Sequence, residues 1–576
     1  MSSRADRSVI TLQATKVGNA MFRHVAQKMV VVAAALAVLL CLPSARAAEN
    51  SGAVVRGVVK SSSAQPLSGA YVKIYNPEKD LTFMVVSQDG GRFSFKNLPP
   101  GKYKVQGVGG NFQSPEVPVN VGSKGDVEAN VSLTETRAPQ LTNSWPFRDS
   151  NVNGNEEWDH KPGMKMVPGP GKDVLEAKCE QCHNTTRIAL LPQSRAKWAM
   201  TVATMRSYID AGHLDQLTDQ EAEQVTNYLG EHYSGLPGSA NELKPVNDRL
   251  PRTLATGQDG KYFAMDMRLP DDPNRDPHDL TIDYKGNAWM ADRLGCCVAK
   301  LDPVTYKVTV YTPPAAAHTS RLGGAIQRSD DATLIWVQDA ANRRWLSLDV
   351  RNGKFTSYPL PDSISGPVGS NFMVFTKDGR IWGATGQAVL GLDPKTSKFV
   401  AYPIPYFQKT GKSVTGYGMA VSLDGKVWFA ERDISQIGRL DPATGHIDEY
   451  QTPIPGSIPR RMGADADGNI WVALHAAGKL VKINYETQKM TVFSPPTADN
   501  GAYIAIAGPK GMIWMSEQTA DKIAEFDPKT NTFTAEYALP TSQSDARRLT
   551  TDPTNPNRFW WSGDTSERVG YIQVER

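Results

Sequence analysis

The sequence predicts a multidomain, mainly β chain: a β-sandwich, a small all-α domain and a seven-bladed β-propeller. Three observations predict it. Residues 54–133 carry seven short strand-like runs separated by turn residues, the pattern of a sandwich. Residues 166–236 change to helical periodicity and contain a capping box at Thr218-Asp219-Gln220-Glu221. Beyond them, Trp289, Trp336, Trp382, Trp428, Trp471, Trp514 and Trp560 recur at spacings of 47, 46, 46, 43, 43 and 46. A period of that size with several short strands per unit is a propeller. A chain of 576 residues, at roughly 100–200 residues per domain, has room for about three such units.

Composition narrows the class. Hydrophobic residues make up 40% and charged residues 21%, an ordinary globular balance. The net charge of +3 is misleading, because residues 1–47 hold six Lys/Arg and one acid and leave the remainder at −2. A nucleic-acid-binding chain would show a basic stripe, so no nucleic-acid partner is expected. Met29–Leu40 is an apolar run, preceded by Arg23, His24 and Lys28 and followed by Ala45-Arg46-Ala47. Those three parts make a secretory signal peptide. The mature chain is expected to begin at Ala48, in the periplasm or otherwise exported, with no transmembrane segment after cleavage.

Strands of the sandwich are expected at Val54–Lys60, Ala70–Tyr75, Thr82–Ser87, Arg92–Lys96, Lys102–Val108, Val117–Val121 and Val127–Leu133, with turns at Asp89-Gly90-Gly91 and Pro99-Pro100-Gly101. The series P-L-S-G-A-x-V, D-G-G-R-F-S-F and L-P-P-G-K-Y resembles carboxypeptidase-regulatory-like domains. That resemblance implies a folding or interaction module; no catalytic constellation is visible in it.

The helical region carries Cys179-Glu180-Gln181-Cys182-His183. Two thiols separated by two residues can each form a thioether to one haem vinyl group, and the adjacent His then lies under the iron. A structural zinc site would need further ligands at suitable spacing, and a redox dithiol would follow a βαβ pattern. One haem c is therefore expected on Cys179 and Cys182, with His183 as proximal ligand. Helices are expected over Lys172–Cys182, Arg195–Asp210 and from Asp219 to about Tyr233. On the middle one, Trp198, Val202, Met205 and Ile209 form one apolar stripe. Met205 is thus the distal ligand expected; Met200 is the alternative, and His213 and His232 the fallbacks. The arrangement resembles a small class I-like cytochrome c. The stretch R-A-K-W-A-M-T-V-A-T-M resembles cytochrome domains of quinohaemoprotein-type proteins.

Each propeller repeat reads like D-G-x-I-W-x-A-E, then I-G-R-L-D-P, then an aromatic outer strand; the best copy starts at Asp424. The last repeat ends at its third strand, Tyr571-Ile572-Gln573-Val574. Lys261–Asp266 resembles the missing outer strand and is expected to pair into the last blade, closing the ring and removing its free edges. This repeat looks like the streptogramin (virginiamycin B) lyase family. The resemblance implies a magnesium site and a His base that opens a lactone by elimination. Glu517, in Ile513-Trp514-Met515-Ser516-Glu517, matches the family's metal-binding Glu, but Thr519 stands where the His is expected. His475 and His278 are the remaining candidate bases, and magnesium or calcium the candidate propeller ions.

Two sets of equivalent blade positions are expected to fall on rings around the axis, the second just before the inner strands that line the channel. Three residues after the repeat Trp come Asp292, Asp339, Glu431 and Glu517 among seven positions. Eleven before it come His278, Asn371, Tyr417, Arg460 and Tyr503, with Arg547 joining after a two-residue insertion. A funnel so lined can orient a polar ligand. Cys296 and Cys297 are adjacent; a vicinal disulfide and two thiols are both open readings. The boundaries read 1–47 signal peptide, 48–135 sandwich, 136–165 linker, 166–236 cytochrome domain, 237–260 linker and 261–576 propeller. The function that follows is an exported c-type cytochrome. Its propeller would bind a substrate, a metal or a redox partner, whether a protein or a small-molecule donor. A metal-dependent lyase and a non-enzymatic periplasmic scaffold are the alternatives.

Overall fold

The computed structural model describes residues 52–109, 112–135, 166–179, most of 194–206, 216–234, 254–270, 277–292 and 296–575, with short breaks at 319, 321, 367–368, 498–499, 542–543 and 564–565. The expected signal peptide and the 136–165 linker lie outside the described residues. Among the described residues, no helix is long and apolar enough to cross a membrane.

Six four-stranded antiparallel sheets follow one another from Pro277 to Ala538, two of them joined by a single bridge. A seventh is built from Ala546–Asp552, Asn555–Gly563 and Arg568–Val574, with Tyr262–Arg268 as its fourth strand. The first strand of each sheet touches the first strand of the next, and Ala546–Asp552 touches Pro277–Ile282. The sheets therefore form a closed ring. The N-terminal strand supplies the closing edge, with Tyr262 opposite Val574 and Arg268 opposite Arg568.

The repeat has a packing explanation. All seven repeat tryptophans are at most 2% exposed. In six blades the indole lies against an aromatic ring of its own outer strand, as in Trp428–Tyr450 at 5.9 Å and Trp514–Tyr537 at 5.8 Å. In the seventh it meets Tyr571 of the third strand at 4.8 Å. The Trp428 indole N–H donates to Ser422 at 2.9 Å and that of Trp471 to Asp465 at 2.8 Å. The recurrent spacing thus places one large buried ring per blade, with its N–H donating to a nearby Ser, Thr or Asp side chain in five of the seven.

The sandwich differs from expectation in two ways. Its last expected strand is split into Asp126–Glu128 and Val131–Ser132, both parallel to Ala53–Lys60. The break lets the chain cross close: a Cβ on Gly57 would lie 2.2 Å from the Ala129 carbonyl oxygen. The sandwich is also not a separate body. Leu81–Val86 pairs antiparallel with Tyr262–Arg268, so one ten-stranded sheet runs from the sandwich into the seventh blade. The end of the expected 237–260 linker is ordered too, with Ala255 N–H donating to Gly69 O at 2.8 Å. At this seam Arg568 donates to buried Asp266 at 2.9 Å and to Asp80 at 2.5 Å.

Between them in sequence lies the helical segment. Helices Lys172–Cys179 and Asp219–His232 touch, and residues 195–196, 198–199, 201–203 and 206 are helical. Leu175, Trp198, Val202, Val225, Tyr228 and Leu229 share one apolar core. The capping box forms as expected: Thr218 Oγ1 accepts from Glu221 N–H at 3.2 Å, and Glu221 accepts from Thr218 N–H at 2.8 Å.

Candidate functional site

Of the expected haem-binding residues, Cys182, His183, Met200 and Met205 lie outside the described residues, as does the fallback His213. Cys179 is described. It ends the helix Lys172–Cys179 and lies half-buried against the core of Trp198 and Val202. Trp198 N–H donates to Tyr233 O at 2.9 Å, which ties the middle helix to the last. His232, the other fallback, packs at a tilt against Tyr228 with ring centres 5.0 Å apart. An apolar helical cradle against the first thiol suits a haem, whose faces are apolar.

In the propeller the two expected rings behave differently. Of the acids after each Trp, Asp339, Glu431 and Glu517 meet neighbours within their own blades. Asp339 accepts from Arg344, Ser320 and Asn342, each at 2.9 Å and all in its own blade. Asp292 ends its strand, its N–H donating to Cys297 O at 3.1 Å. Glu431 lies beside Glu449, and Glu517 beside Glu536, in both cases a residue of the same blade's outer strand. Each acid is the last residue of its second strand.

These two glutamates are held as neutral acids. Burial, then the adjacent Glu449, raises Glu431 to about 9. Burial, then Glu536, holds Glu517 well above the usual carboxylate range. Lys522 donates to Glu536 at 3.0 Å nearby. No group of three His, Cys, Asp or Glu placed to hold a metal ion occurs among the described residues. The magnesium or calcium expectation for Glu517 therefore finds no supporting geometry.

The second ring converges. The Tyr417 and Tyr503 hydroxyls are hydrogen-bonded. Arg460 donates to Tyr417 at 3.2 Å, and its guanidinium lies 5.2 and 5.0 Å from the Tyr417 and Tyr503 ring centres. Arg547 lies 5.9 Å from the Tyr503 ring and donates to Asp545 at 3.0 Å. Burial alone raises the Tyr417 phenol, but Arg460, Arg461 and Arg547 outweigh it and bring it to about 7. Tyr503 goes the other way, to about 12, through burial and the charge on Tyr417.

Of the two candidate bases, His475 has Nε2 2.7 Å from Gln518 Oε1, and Gln518 in turn donates to Asp545. Burial, then Arg460, holds His475 well below its usual range, so its ring is neutral. His278 Nδ1 lies 3.0 Å from Asp279 Oδ1 and 3.1 Å from Gly324 O.

Sequence reading missed the second residue at each of these positions. Arg461, fully buried, donates to Asp279 at 2.5 Å, to Asn371 O at 3.0 Å and to Arg547 O at 3.3 Å. Arg548 lies 4.0 Å from the same Asp279 and 4.5 Å over the Phe372 ring. Strict alternation would send Arg461 away from Arg460. Six of the seven inner strands, however, shift register near their start. In blade five, Pro459 faces Leu474 and Met462 faces Val472, so one extra residue is inserted. Such a bulge re-aims side chains and brings both arginines of the pair to the channel. Gly418 permits the close approach: a Cβ there would lie 2.3 Å from the Arg461 Cα. The available signal was the doublet itself, Arg460-Arg461 and Arg547-Arg548 with His278-Asp279 at equivalent positions.

Cys296 and Cys297 are joined by a disulfide.

Comparison with known proteins follows the same division. Residues 54–134 match the carboxypeptidase regulatory-like domain. Residues 169–270 match the haem-binding domain of the quinohemoprotein amine dehydrogenase A alpha subunit. Residues 376–576 match the virginiamycin B lyase family. No curated protein matches the chain. Among solved structures, the chain is similar to virginiamycin B lyase from Staphylococcus aureus, at 20% identity and a TM-score of 0.46, over 55% of this chain and 100% of that one. It is also similar to Kuenenia stuttgartiensis hydrazine synthase, at 14% identity and a TM-score of 0.43, over 53% of this chain and 97% of that one. One polypeptide thus joins a regulatory-like β domain, a segment of haem-binding type and a lyase-like propeller.

Proposed function

We propose that this protein is an exported electron-transfer protein carrying one covalent haem c, with a propeller that binds the molecule exchanging electrons with it. The observation that carries the reading is the Cys179-x-x-Cys182-His183 motif inside the segment that matches a haem-binding domain. The packing of Cys179 against the helical core supports it. In this reading Cys179 and Cys182 form the thioethers, His183 is the proximal ligand and Met205 the distal one, with Met200 as alternative. Bound haem supplies one-electron chemistry, and a Met ligand raises its potential. The chain's own part is to exclude water with Trp198, Val202 and Leu175.

The test is expression with export to the periplasm, followed by pyridine haemochrome quantitation and an optical redox titration. One covalent haem per chain, with a potential that falls in Met205→Ala, is the expected result. Absence of covalent haem overturns the reading. An unchanged potential in Met205→Ala overturns that ligand alone.

A further inference from the structure

The propeller channel holds a cavity of about 400 Å³, lined by residues of the second halves of the inner strands. It lies toward the end of the channel opposite the Tyr417–Tyr503 pair. Its volume falls in the range of small-molecule sites. Phe372, Met419, Met462 and Ile506 form an apolar wall, and Arg328 and Arg548 supply the charge. Asp330 also lines it but is exposed to solvent.

Around Arg548 the arginines Arg461 and Arg328 stand against the one buried carboxylate of Asp279, while Asp552 and Asp330 act on Arg328. Arg548 and Arg461 both lie over the Phe372 ring, at 4.5 and 5.4 Å. The carboxylate they share is Asp279, which Arg461 takes at 2.5 Å while Arg548 stands 4.0 Å off. Arg548 donates to Leu280 O at 3.2 Å and to Gln327 at 3.4 Å, while its buried Nη1 stands 4.0 Å from Asp279 Oδ2, beyond hydrogen-bond reach. Arg328 donates to Thr551 O at 3.1 Å. Burial, against the pull of Asp279 and with Arg461 and Arg328 adding repulsion, lowers Arg548 to about 10. A buried guanidinium without its full complement of acceptors is costly.

We propose that this cavity binds a small organic carboxylate with an apolar body, the carboxylate facing Arg548 and Arg328 and the body lying against Phe372, Met419, Met462 and Ile506. A cation would meet two arginines. A neutral apolar molecule would leave the guanidinium unsatisfied. An inorganic anion would leave the apolar wall in contact with water. The inference deepens the propeller half of the proposed function and does not depend on the haem half. The experiment reads binding alone, so the two can fail separately.

The experiment is isothermal titration of the full-length protein with 2-naphthoate and with its neutral counterpart 2-naphthamide. The expected result is one site for 2-naphthoate, at least tenfold tighter than the amide. Arg548→Gln should weaken 2-naphthoate about tenfold or more, and Arg328→Gln, nearer solvent, several-fold. Should Arg548→Gln not fold, Arg328→Gln and the amide comparison decide. Absence of 2-naphthoate binding overturns the proposal, as does equal affinity for acid and amide, or undiminished binding in the folded arginine variants.

Discussion

The helical segment and the propeller channel carry their chemistry in opposite ways. In the first, five contiguous residues, Cys179 to His183, hold a complete motif, and the surrounding helices supply only an apolar cradle. In the second, no contiguous stretch means anything by itself. Asp279 of the first blade, Arg461 of the fifth and Arg548 of the seventh meet because the ring closes on them. A motif of the first kind can be read before folding. A constellation of the second kind exists only once the register of every inner strand is known.

The contrast breaks most sharply with Cys179→Ala/Cys182→Ala. Covalent haem should vanish completely from the pyridine haemochrome spectrum, while the propeller's unfolding transition stays in place. Loss of that transition as well would mean that the helical segment is integral to the propeller's stability.

Next in size is Arg461→Met. Removing the closest partner leaves Asp279 with only His278 and the more distant Arg548, and should cost up to about 3–5 kcal/mol, read from the urea midpoint. Arg461→Met/Asp279→Leu should recover part of it, because the closest pair is then gone while Arg548 loses its nearby carboxylate. If the double variant is as unstable as the single one, the pair's value lies in the contacts of Arg461 to the Asn371 and Arg547 carbonyls instead.

These expectations also mark where sequence reading stopped. The seven blades were readable because each must bury one Trp against an aromatic ring, and that requirement repeats visibly. The closing strand at 262–268 was readable because the last repeat lacks an edge. The shared sheet with the sandwich was not, since nothing in Leu81–Val86 names Tyr262–Arg268 as its neighbour. Tyr417, Arg460, Tyr503 and Arg547 were found by counting back from the Trp, whereas Arg461 and Arg548 were passed over because alternation assigns them to the other face. The bulge that reverses this adds one residue, which the variable lengths of natural repeats conceal.

A smaller effect separates the two tyrosines. Native Tyr417 loses its proton at about 7, against 10.0 for a free phenol. Between those values the unfolded chain binds more protons, so stability rises with pH across the window and is lost again as pH falls through about 7. The tyrosinate absorbance should appear near neutral pH in the native protein and be absent in Tyr417→Phe. Tyr503→Phe should leave that absorbance in place while moving its midpoint upward, because it removes the partner hydroxyl. If Tyr417→Phe keeps the signal, the neutral-pH phenolate is another residue.

The smallest expected effect lies in the helical segment and tests whether its frame is as local as its motif. Thr218 and Glu221 satisfy two N–H groups that the start of Asp219–His232 would otherwise leave unpaired. Thr218→Ala removes one acceptor and should cost about 1 kcal/mol. The helix carries Val225, Tyr228 and Leu229, which pack with Trp198 and Val202 on the core that Cys179 abuts. If the cradle is cooperative, the loss should lower the denaturation midpoint of the haem absorbance and leave the propeller's tryptophan transition unmoved. If both transitions shift together, the two regions unfold as one unit, and the contrast between a local motif and a ring-built channel would hold for their chemistry but not for their stability.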